Sequence, residues 1–476
     1  MQGINHYQPR LFVCVNLEDL IPQNHILRKL NKIFDLSFVR KLTAEYYCNN
    51  IGRPSVDPEL FFRMILIGYV FGIRHDRKLC EEITFNMAYR WYCKLNLDDK
   101  VPDHSSLSRI RDRYGSEIFE KFFDKVVEEC RTNGLVKGER IMTDASLIEA
   151  DASIDSMIAK AEEMAKAEVI ALKERNPTDR MPNRKISNET HISKSDPDSS
   201  LAKKEGAARK LRYKVHSTID ADSRVILDSK ITTGAVHDTK VYLERIKYIQ
   251  TKYKFSIKEA IADRGYGAID NIKSLNEEGI TTYIPLFSSR SGGTAKEMVD
   301  AGFKYDFEND RCICPEGKIM YPRRHKDTTS YHAKISICKA CSSFTTCVAK
   351  HRKGGERVIL RNPNQDLFEK EILRMQEEIF HKRLKERMWK IEGIFSEAKN
   401  MHGLSRAKYR GLQKMQIQAH MTSAAQNLKR LVISLAPTFI ITLLQYISPE
   451  LWESIICTIK CKISNSFSYI RCRKLI

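Results

Sequence analysis

The sequence predicts an α/β (α+β) protein in which a mixed sheet with flanking helices follows an all-helical N-terminal domain. Three observations support this fold class. Residues 1–135 carry apolar residues at helical spacing, interrupted by segments rich in Pro, Gly and Asp. From Gly138 onward, short alternating segments typical of strands are interspersed with helical segments, the order expected of an α/β core. A long helical segment then contains the sequence WKIEGIFSEAK over residues 389–399.

The composition is that of a soluble globular protein with a large excess of positive charge. The 476 residues include 80 Lys and Arg against 60 Asp and Glu, which gives a net charge of +20 and a pI near 9.3. A charge of this size favours a nucleic-acid partner, because basic side chains that neutralise phosphates release counterions. A solvated basic surface or an anionic lipid partner is the alternative.

The sequence predicts a cytoplasmic, nucleoid-associated protein with no membrane partner. The first residues, MQGINHYQPR, lack the apolar core of a secretory signal. The apolar segment Leu431–Leu444 contains Pro437 and is too short to span a bilayer. The 13 Cys, an odd number, are therefore expected to be mostly reduced.

The N-terminal domain, predicted over residues 1–135, is expected to bind DNA. Glu59–Ile73 is nearly all apolar and predicts a buried helix. The helix predicted over Ser105–Thr132 follows a short turn and begins with Ser and Arg residues, among them Arg109 and Arg111. Hydroxyl and guanidinium groups at a helix start suit contact with DNA phosphates. A plain helical bundle with a basic edge is the alternative.

The α/β core is predicted over residues 136–295 and 365–430. A charged insertion at 151–210 is expected to be helical to about Glu174 and flexible thereafter. A Cys-rich insertion covers 296–364, and an apolar and then basic tail, 431–476, is expected to close the core or contribute to dimerisation. The predicted core strands are Arg140–Thr143 ending at Asp144, Lys214–Asp220, Arg224–Thr233, Glu259–Asp263 and Thr281–Phe287, and the helices between them are Thr239–Tyr253 and Ile269–Gly279.

Three carboxylates are candidates for one metal site. If the strands ending at Asp144 and Asp263 are neighbours, both carboxylates lie at one edge of the sheet, within reach of Glu392 on a helix packed across it. Such a group can hold two divalent cations, and its oxygen ligands favour Mg²⁺ or Mn²⁺. Lys399 shares a helix face with Glu392 and would neutralise a phosphate, although a solvated surface pair is the alternative.

Two other carboxylates compete for a place in that site. Asp238 precedes a predicted helix and is interpreted as its N-cap. Glu397 lies about 140° from Glu392 around the helix, so the two side chains cannot point into one site. Gly265, close to Asp263, would let a phosphate backbone approach.

These residues resemble the motifs of bacterial insertion-sequence transposases of the DDE class. The first motif of that group, a strand ending in Asp, matches MTDAS around Asp144. The second, Asp-x-Gly-Tyr/Phe, is complete from Asp263 to Tyr266. The third, Tyr-x2-Arg-x3-Glu-x6-Lys, has its Glu and Lys at Glu392 and Lys399.

The third motif departs from the pattern upstream of Glu392. Arg387 lies one residue too early, Met388 stands at the motif position of the Arg, and Lys385 occupies the Tyr position. The segments GRPSVDPELFFRM, VPDHSSLSRIR and HGLSRAKYRG also resemble one branch of these enzymes, so that the resemblance covers about residues 5–430.

The resemblance implies a ribonuclease H-like core and a DNA transposase activity. Asp144, Asp263 and Glu392 would then be the catalytic residues and the ligands of Mg²⁺ or Mn²⁺. The enzyme would bind the terminal inverted repeats of its own element, cleave the DNA and transfer the strand to target DNA, as a homodimer or a larger assembly. The alternatives are a metal-dependent nuclease of the same fold and a domesticated DNA-binding protein without catalysis.

Two further sets of residues have predicted binding roles. Cys314, Cys338, Cys341 and Cys347 form a candidate four-thiolate Zn²⁺ site, with Cys312 or His325 as a spare ligand. Reduced cysteines in a loop, or a redox pair, are the alternative. Together with Lys399, the basic residues Arg406, Lys408 and Arg410 are expected to form a stripe that contacts DNA phosphates.

Overall fold

A computed structural model describes residues 16–48, 54–160, 186–203, 206, 208–286, 301–306, 308–325, 328–349, 356–360 and 364–445. The helices are α1 Leu17–Leu20, α2 Ile26–Ile33, α3 Phe38–Leu42, α4 Pro58–Val70, α5 Asp76–Phe85, α6 Met87–Tyr92, α7 His104–Thr132, α8 Asp238–Tyr253, α9 Ile269–Glu277, α10 Ile335–Lys339, α11 Gln365–Arg374, α12 Glu378–Met401 and α13 Leu412–Gln445. The strands are β1 Arg140–Glu149, β2 Met157–Ala159, β3 His191–Ser193, β4 Ser200–Ala202, β5 Lys210–Asp220, β6 Ile226–Thr233, β7 Glu259–Ala262, β8 Thr281–Tyr283, β9 Lys304–Asp306, β10 Arg311–Ile313, β11 Ile319–His325, β12 Thr328–His332 and β13 Val358–Leu360.

The N-terminal region is helical, as the apolar spacing predicts, and α4 lies at its centre. Pro58 occupies the first turn of α4, and the Asp57 carboxylate accepts the Glu59 N–H at 2.9 Å, which fixes the helix start. Almost every side chain of α4 is buried, and the rings of Phe62 and Phe122 stack with centroids 4.8 Å apart. The predicted buried helix is therefore present, although it ends at Val70.

The central sheet has the strand order β6–β5–β1–β7–β8, and β4 extends the β6 side by pairing with the start of β5. β1, β7 and β8 are parallel, whereas β5 is antiparallel to both β1 and β6. The hairpin predicted from residues 214–233 is thus formed by β5 and β6, and it adds an antiparallel edge to a parallel centre.

Helices cover both faces of this sheet. Arg245 of α8 pairs with Asp228 of β6 at 2.6 Å on one face. Arg383 of α12 pairs with Glu259 of β7 at 2.8 Å on the other. Thr143 and Asp144 are adjacent in β1 and point to opposite faces, and Asp144 faces α12.

The last described helix, α13, closes the core from the side of β6 and α7. The Asn427 side chain both donates to the Ile226 carbonyl and accepts the Ile226 N–H, each at 2.8 Å. The predicted domain boundary between residues 430 and 431 falls inside this helix, which continues without a break. Leu428 and Leu431, one on each side of the boundary, are both fully buried. No helix in the described ranges is long and apolar enough to cross a membrane.

The second half of the charged insertion was predicted to be flexible, but its described part contains two strands. Its predicted helix falls largely on residues 161–185, which lie outside the described residues. Beyond them, β3 pairs with β2 and β4 joins the central sheet. The Asn188 amide bonds both the N–H and the carbonyl of Leu201, and the Tyr213 hydroxyl donates to Asp196 at 2.5 Å. These buried polar contacts hold the segment in place.

The Cys-rich insertion folds as a separate small sheet. Its strand order is β13–β12–β11–β10–β9, and all its pairs are antiparallel. This sheet has its own apolar core, distinct from the main one. The buried members of that core are Phe303, Cys312, Met320, Tyr331, Ala333, Cys338, Val348 and Ile359.

Candidate active site

Asp144 and Asp263 lie on neighbouring parallel strands. Thr143 of β1 is in register with Ala262, the last residue of β7, so the two aspartates occupy the next position on each strand. The prediction that the first strand ends at Asp144 is wrong, because β1 continues to Glu149 while paired with β5. Asp144 is therefore paired with β5 on one side, and on the other side it lies next to the residue that follows β7.

Burial governs the charge of both aspartates. It raises the pKa of Asp144 to about 6; Arg387 opposes the shift, and the charge of Asp263 adds to it. The Asp144 carboxylate accepts the Ala145 N–H at 2.7 Å. Burial likewise raises the pKa of Asp263, against the opposing charge of Arg387, and the Asp263 carboxylate accepts the Gly265 N–H at 2.8 Å. Two neighbouring carboxylates that repel each other in this way favour a bound cation.

Asp238 is a third carboxylate at this edge of the sheet. The N-cap of α8 is His237, so Asp238 lies inside the first turn and is not the cap that the sequence predicts. Lys214 of β5 holds the Asp238 carboxylate at 2.9 Å and the Val236 carbonyl at 2.7 Å. The charge of Asp238 also contributes to the raised pKa of Asp263.

Gly265 separates Asp238 from Asp263. A Cβ at this position would lie 3.0 Å from Oδ1 of Asp263 and 3.3 Å from Oδ2 of Asp238. Both carboxylates therefore converge on the glycine of the Asp-x-Gly-Tyr motif. Within the described residues, the buried hydroxyl of Tyr266 has no hydrogen-bond partner. Burial, followed by the charges of Asp238, Asp144 and Asp263, raises its pKa well above the ordinary value.

The structure does not bring Glu392 to the two aspartates. Glu392 is exposed on α12, about 140° around the helix from Arg387, which contacts Asp144. The buried face of α12 is formed instead by apolar residues, including Ile391 and Ile394. In the described part of the chain, no three His, Cys, Asp or Glu side chains are grouped so as to hold a metal ion. The role of Glu392 as a third ligand therefore stays a prediction.

Glu397 is engaged elsewhere, as its position on the helix predicts. Although its burial works in the opposite direction, bonds from His402 and Arg430 lower the pKa of Glu397 to about 2. Arg430 of α13 lies 2.6 Å from the Glu397 carboxylate. This ion pair ties α12 to α13.

Arg387 is the site residue to which sequence reasoning gave no role. Its guanidinium lies 2.8 Å from the Asp144 carboxylate, and both side chains are largely buried. A signal for this placement exists in the sequence. Arg383 and Arg387 are four residues apart and share a helix face, and Arg383 pairs with Glu259 at the start of β7.

The predicted DNA-contacting residues fall into two groups. Arg109 is exposed and lies near the Ser105 and Ser106 hydroxyls, at 3.4 and 3.5 Å. Arg406 and Arg410 have side chains that are 54% exposed, and both pair with Asp151. Lys399 is half-buried near the end of α12.

The prediction that Arg111 contacts DNA is wrong for this structure. Its side chain is only 3% exposed, pairs with Asp76 at 2.7 Å and lies over the ring of Tyr409. Lys408, predicted as part of the basic stripe, also pairs with Asp76, at 2.8 Å. These contacts join α5 and α7 to the segment after α12. Arg111 and Lys408 point inward because both pair with the largely buried Asp76 carboxylate.

The four cysteines of the candidate zinc site surround one cavity in the Cys-rich sheet. Cys312 is buried in β10 and does not line this cavity, and His325 is the last residue of β11.

Two known protein families match parts of this chain. Residues 15–113 match the family described as transposase domain (DUF772), and residues 313–432 match the family described as transposase DDE domain. The second match contains Glu392 and Lys399, whereas Asp144 and Asp263 lie outside both. Both families are transposase domains, and the first match covers most of the helical N-terminal region. Together the two matches support a DNA transposase of the insertion-sequence DDE class.

No curated protein matches the sequence. Among solved structures, a piggyBac transposase synaptic complex with hairpin DNA aligns over 90% of this chain and 84% of that chain, at 11% identity and a TM-score of 0.32. A TM-score this low does not establish a shared fold.

Proposed function

We propose that this transposase cleaves DNA at the terminal inverted repeats of its own element and joins the freed 3′-hydroxyl to target DNA. The observation that carries the proposal is that Asp144 of β1 and Asp263, the residue after β7, each follow the register pair Thr143 and Ala262 of these neighbouring parallel strands. Burial raises the pKa of both carboxylates, and a cation bound between them would oppose that shift. Their oxygen atoms are the donors that Mg²⁺ or Mn²⁺ prefers.

We further propose a ribonuclease H-like core. The supporting observation is the strand order β6–β5–β1–β7–β8, in which the antiparallel hairpin precedes two parallel crossovers. Such an order places residues of the first and fourth core strands side by side at the centre of the sheet. Asp144 and Asp263 occupy those strands, and α12 crosses the same face.

The residues around the pair have distinct tasks in this proposal. Bound divalent cations would activate the attacking water or 3′-hydroxyl and stabilise the leaving oxygen. Asp144 and Asp263 hold the cations, and Glu392 is the third ligand by its match to the family motif. Gly265 leaves room beside Asp263 for a DNA phosphate. Lys214 pairs with Asp238 at 2.9 Å and anchors it next to Asp263.

DNA binding is assigned to the helical domain and to basic side chains near the core. Arg109 at the start of α7 and the half-exposed Arg406 and Arg410 are available for phosphates, provided that the two arginines release Asp151. Lys399 is assigned a phosphate by its match to the family motif. Because two element ends must be held together for strand transfer, the active form is a homodimer or a larger assembly.

The test is an in vitro reaction with the purified full chain and a linear DNA that carries the sequences flanking its gene. The wild-type protein is expected to nick the element end and form joined products in Mg²⁺, and none in EDTA. Asp263→Asn is expected to abolish both products while DNA binding is retained. Asp270→Asn, an exposed change seven residues further on, is the matched control.

Nicks without joined products would replace the proposal by a nuclease activity. Full activity of Asp263→Asn would exclude the proposed site. DNA binding without cleavage, in a folded wild-type protein supplied with Mg²⁺ or Mn²⁺, would indicate a binding protein that has lost catalysis.

A further inference from the structure

Four cysteines from three separate segments of the Cys-rich insertion line one cavity of about 50 Å³. Cys314 follows β10, Cys338 lies in α10, Cys341 follows that helix, and Cys347 lies in the turn Thr345–Ala349. Apolar side chains, among them Phe303, form much of the remaining wall. The cavity is therefore a place where thiols from distant parts of the chain converge.

The first cysteine lies in a tight turn that presents one backbone N–H group to its sulfur. Lys318 donates its N–H to the Cys314 Sγ at 3.3 Å, and Gly317 donates to the Cys314 carbonyl at 2.9 Å. Gly317 has φ +71°, a conformation that favours glycine. An N–H directed at sulfur stabilises a thiolate, the form that binds metal.

The other three cysteines are held in a similar way by local backbone bonds. Cys341 donates its N–H to the Cys338 carbonyl at 3.1 Å, which closes the turn of the Cys-x2-Cys pair. Cys347 donates to the Ser343 carbonyl at 2.8 Å. Short backbone bonds therefore fix the segments that carry the cysteines along the wall of the same cavity.

The small sheet also needs a stabilising element beyond its apolar core. The described part of residues 301–360 has an apolar core of only eight buried side chains. A unit of this size gains few kcal/mol from burial alone and commonly depends on a disulfide or a metal. All of its cysteines are free thiols in the structure, so disulfides do not supply that stability.

We propose that Cys314, Cys338, Cys341 and Cys347 bind one Zn²⁺ that fixes the fold of the Cys-rich sheet. The thiolate set and its two short-spaced turns suit tetrahedral zinc. Among the described residues, the four sulfurs do not form a metal-holding group as they stand, so the proposal requires them to move closer together when Zn²⁺ binds. Cys312 takes no part, because it is buried in the sheet core and not in the cavity wall.

This proposal is independent of DNA cleavage and is tested without an activity assay. The full chain, purified under reducing conditions without added metal, is expected to contain about one Zn²⁺ per chain by elemental analysis. Substitution of Co²⁺ is expected to give thiolate charge-transfer absorption and the d–d bands of a tetrahedral site. Cys338→Ser and Cys347→Ser should each weaken metal binding by on the order of 100-fold. Cys80→Ser, a change at a cysteine of α5, is the control and should retain the metal.

A second measurement uses the wild-type protein alone, so that a misfolded variant cannot confuse the result. Chelation should make residues 301–360 about tenfold more sensitive to limited proteolysis, because the small sheet opens without metal. Zn²⁺ should restore the protection and Mg²⁺ should not. Absence of bound metal combined with no uptake of added Zn²⁺, or equal uptake by wild type and Cys338→Ser, would overturn the proposal. A disulfide between the cysteines in the reduced, metal-free protein would overturn it as well.

Discussion

The Arg387 guanidinium lies 2.8 Å from the Asp144 carboxylate and joins α12 to the centre of the sheet. Asp144 is the aspartate whose pKa burial raises to about 6, so the arginine compensates part of an unfavourable buried charge. The ion pair occupies the carboxylate that a catalytic cation would use. A cation and a guanidinium therefore compete for the same oxygen atoms.

This competition predicts that Arg387→Gln increases the affinity of the site for Mg²⁺. A charge-assisted hydrogen bond contributes about 1.5–3 kcal/mol, so the Mg²⁺ concentration for half-maximal cleavage should fall about 10- to 100-fold. The measurement is the cleavage rate as a function of Mg²⁺ concentration. Lys385→Gln, an exposed change on the same helix, should leave that concentration unchanged. An unchanged or higher Mg²⁺ requirement for Arg387→Gln would show that the arginine does not compete with metal.

The identity of the third acid can be decided by two substitutions. Glu392→Gln is expected to abolish cleavage, because the motif match assigns it a metal ligand role. Asp238→Asn is expected to slow cleavage by on the order of tenfold, since it removes a charge beside Asp263 without removing a ligand. Single-turnover cleavage rates measure both. The reverse order of effects would make Asp238 the third ligand and Glu392 a surface residue.

Gly265→Ala should impair catalysis more than stability. The new Cβ would lie 3.0 Å from the Asp263 carboxylate and 3.3 Å from that of Asp238, so one of them must move by a few tenths of an ångström. Small displacements of reacting groups cost up to about 100-fold in rate. Cleavage rates and the thermal midpoint of unfolding should be compared with those of Gly279→Ala. That glycine has φ +77° and an empty surrounding, so its substitution should lower stability and leave the rate intact. A normal rate for Gly265→Ala would contradict the role given to the converging carboxylates.

Arg111 and Arg109, two residues apart on α7, should respond in opposite ways. Arg111→Met leaves the buried Asp76 with fewer partners and should destabilise the protein by about 3 kcal/mol, with DNA affinity of the folded fraction unchanged. Arg109→Gln should leave stability unchanged, weaken DNA binding and reduce the salt dependence of log Kd by about one unit. Urea unfolding and DNA titrations at several salt concentrations distinguish these outcomes. Loss of DNA affinity in folded Arg111→Met would restore the phosphate role that the structure excludes.

His420 should make stability depend on pH. Its ring stacks on Phe123 with centroids 5.5 Å apart, and its Nε2 accepts a bond from Gln416 at 2.8 Å. Burial lowers its pKa from 6.5 to about 4. The unfolded chain therefore binds the proton first, so the stabilisation is complete above pH 6.5 and is lost as the pH falls towards 4.

The loss should amount to about 1.4 kcal/mol per pH unit between those limits. His420→Phe keeps the ring and removes the titration, so its unfolding free energy should fall less steeply with acid than that of the wild type. Gln416 retains its bond to the Ser229 carbonyl in that variant. His381→Phe, at an exposed position, should follow the wild-type curve. Identical slopes for His420→Phe and the wild type would contradict the burial of a neutral His420.

Much of the local structure could be predicted from the sequence. The apolar spacing of α4 and the alternation in β5 and β6 are signals between residues close in the chain, and each of these elements was predicted to within a few residues. The order of strands and helices also indicated the α/β core. Local patterns did not show where β1 ends, because its second half is a strand only through pairing with β5.

The site could be predicted only in part, for a related reason. Asp144 and Asp263 each follow strand-like residues, and their register in the sheet makes them neighbours. No local signal reveals that Arg111 turns inward to Asp76 or that Lys214 reaches Asp238, because these partners lie on different elements. The sequence pattern also did not predict which polar side chain of α12 points at the sheet, because Glu392 and Arg387 are both polar residues on one long helix.

By itself, the sequence indicated the class of this protein, many of its helices and strands, and the aspartates and cysteines that are candidates for its sites. Those properties follow from residue type and spacing along the chain, which fix helical and strand periodicity. Only the tertiary structure decided that Arg387 contacts Asp144, that Asp238 and Asp263 both lie next to Gly265, and that Glu392 is exposed on α12. These relationships depend on how strands register and how one helix is rotated over the sheet, and packing of the buried Ile391 face sets that rotation.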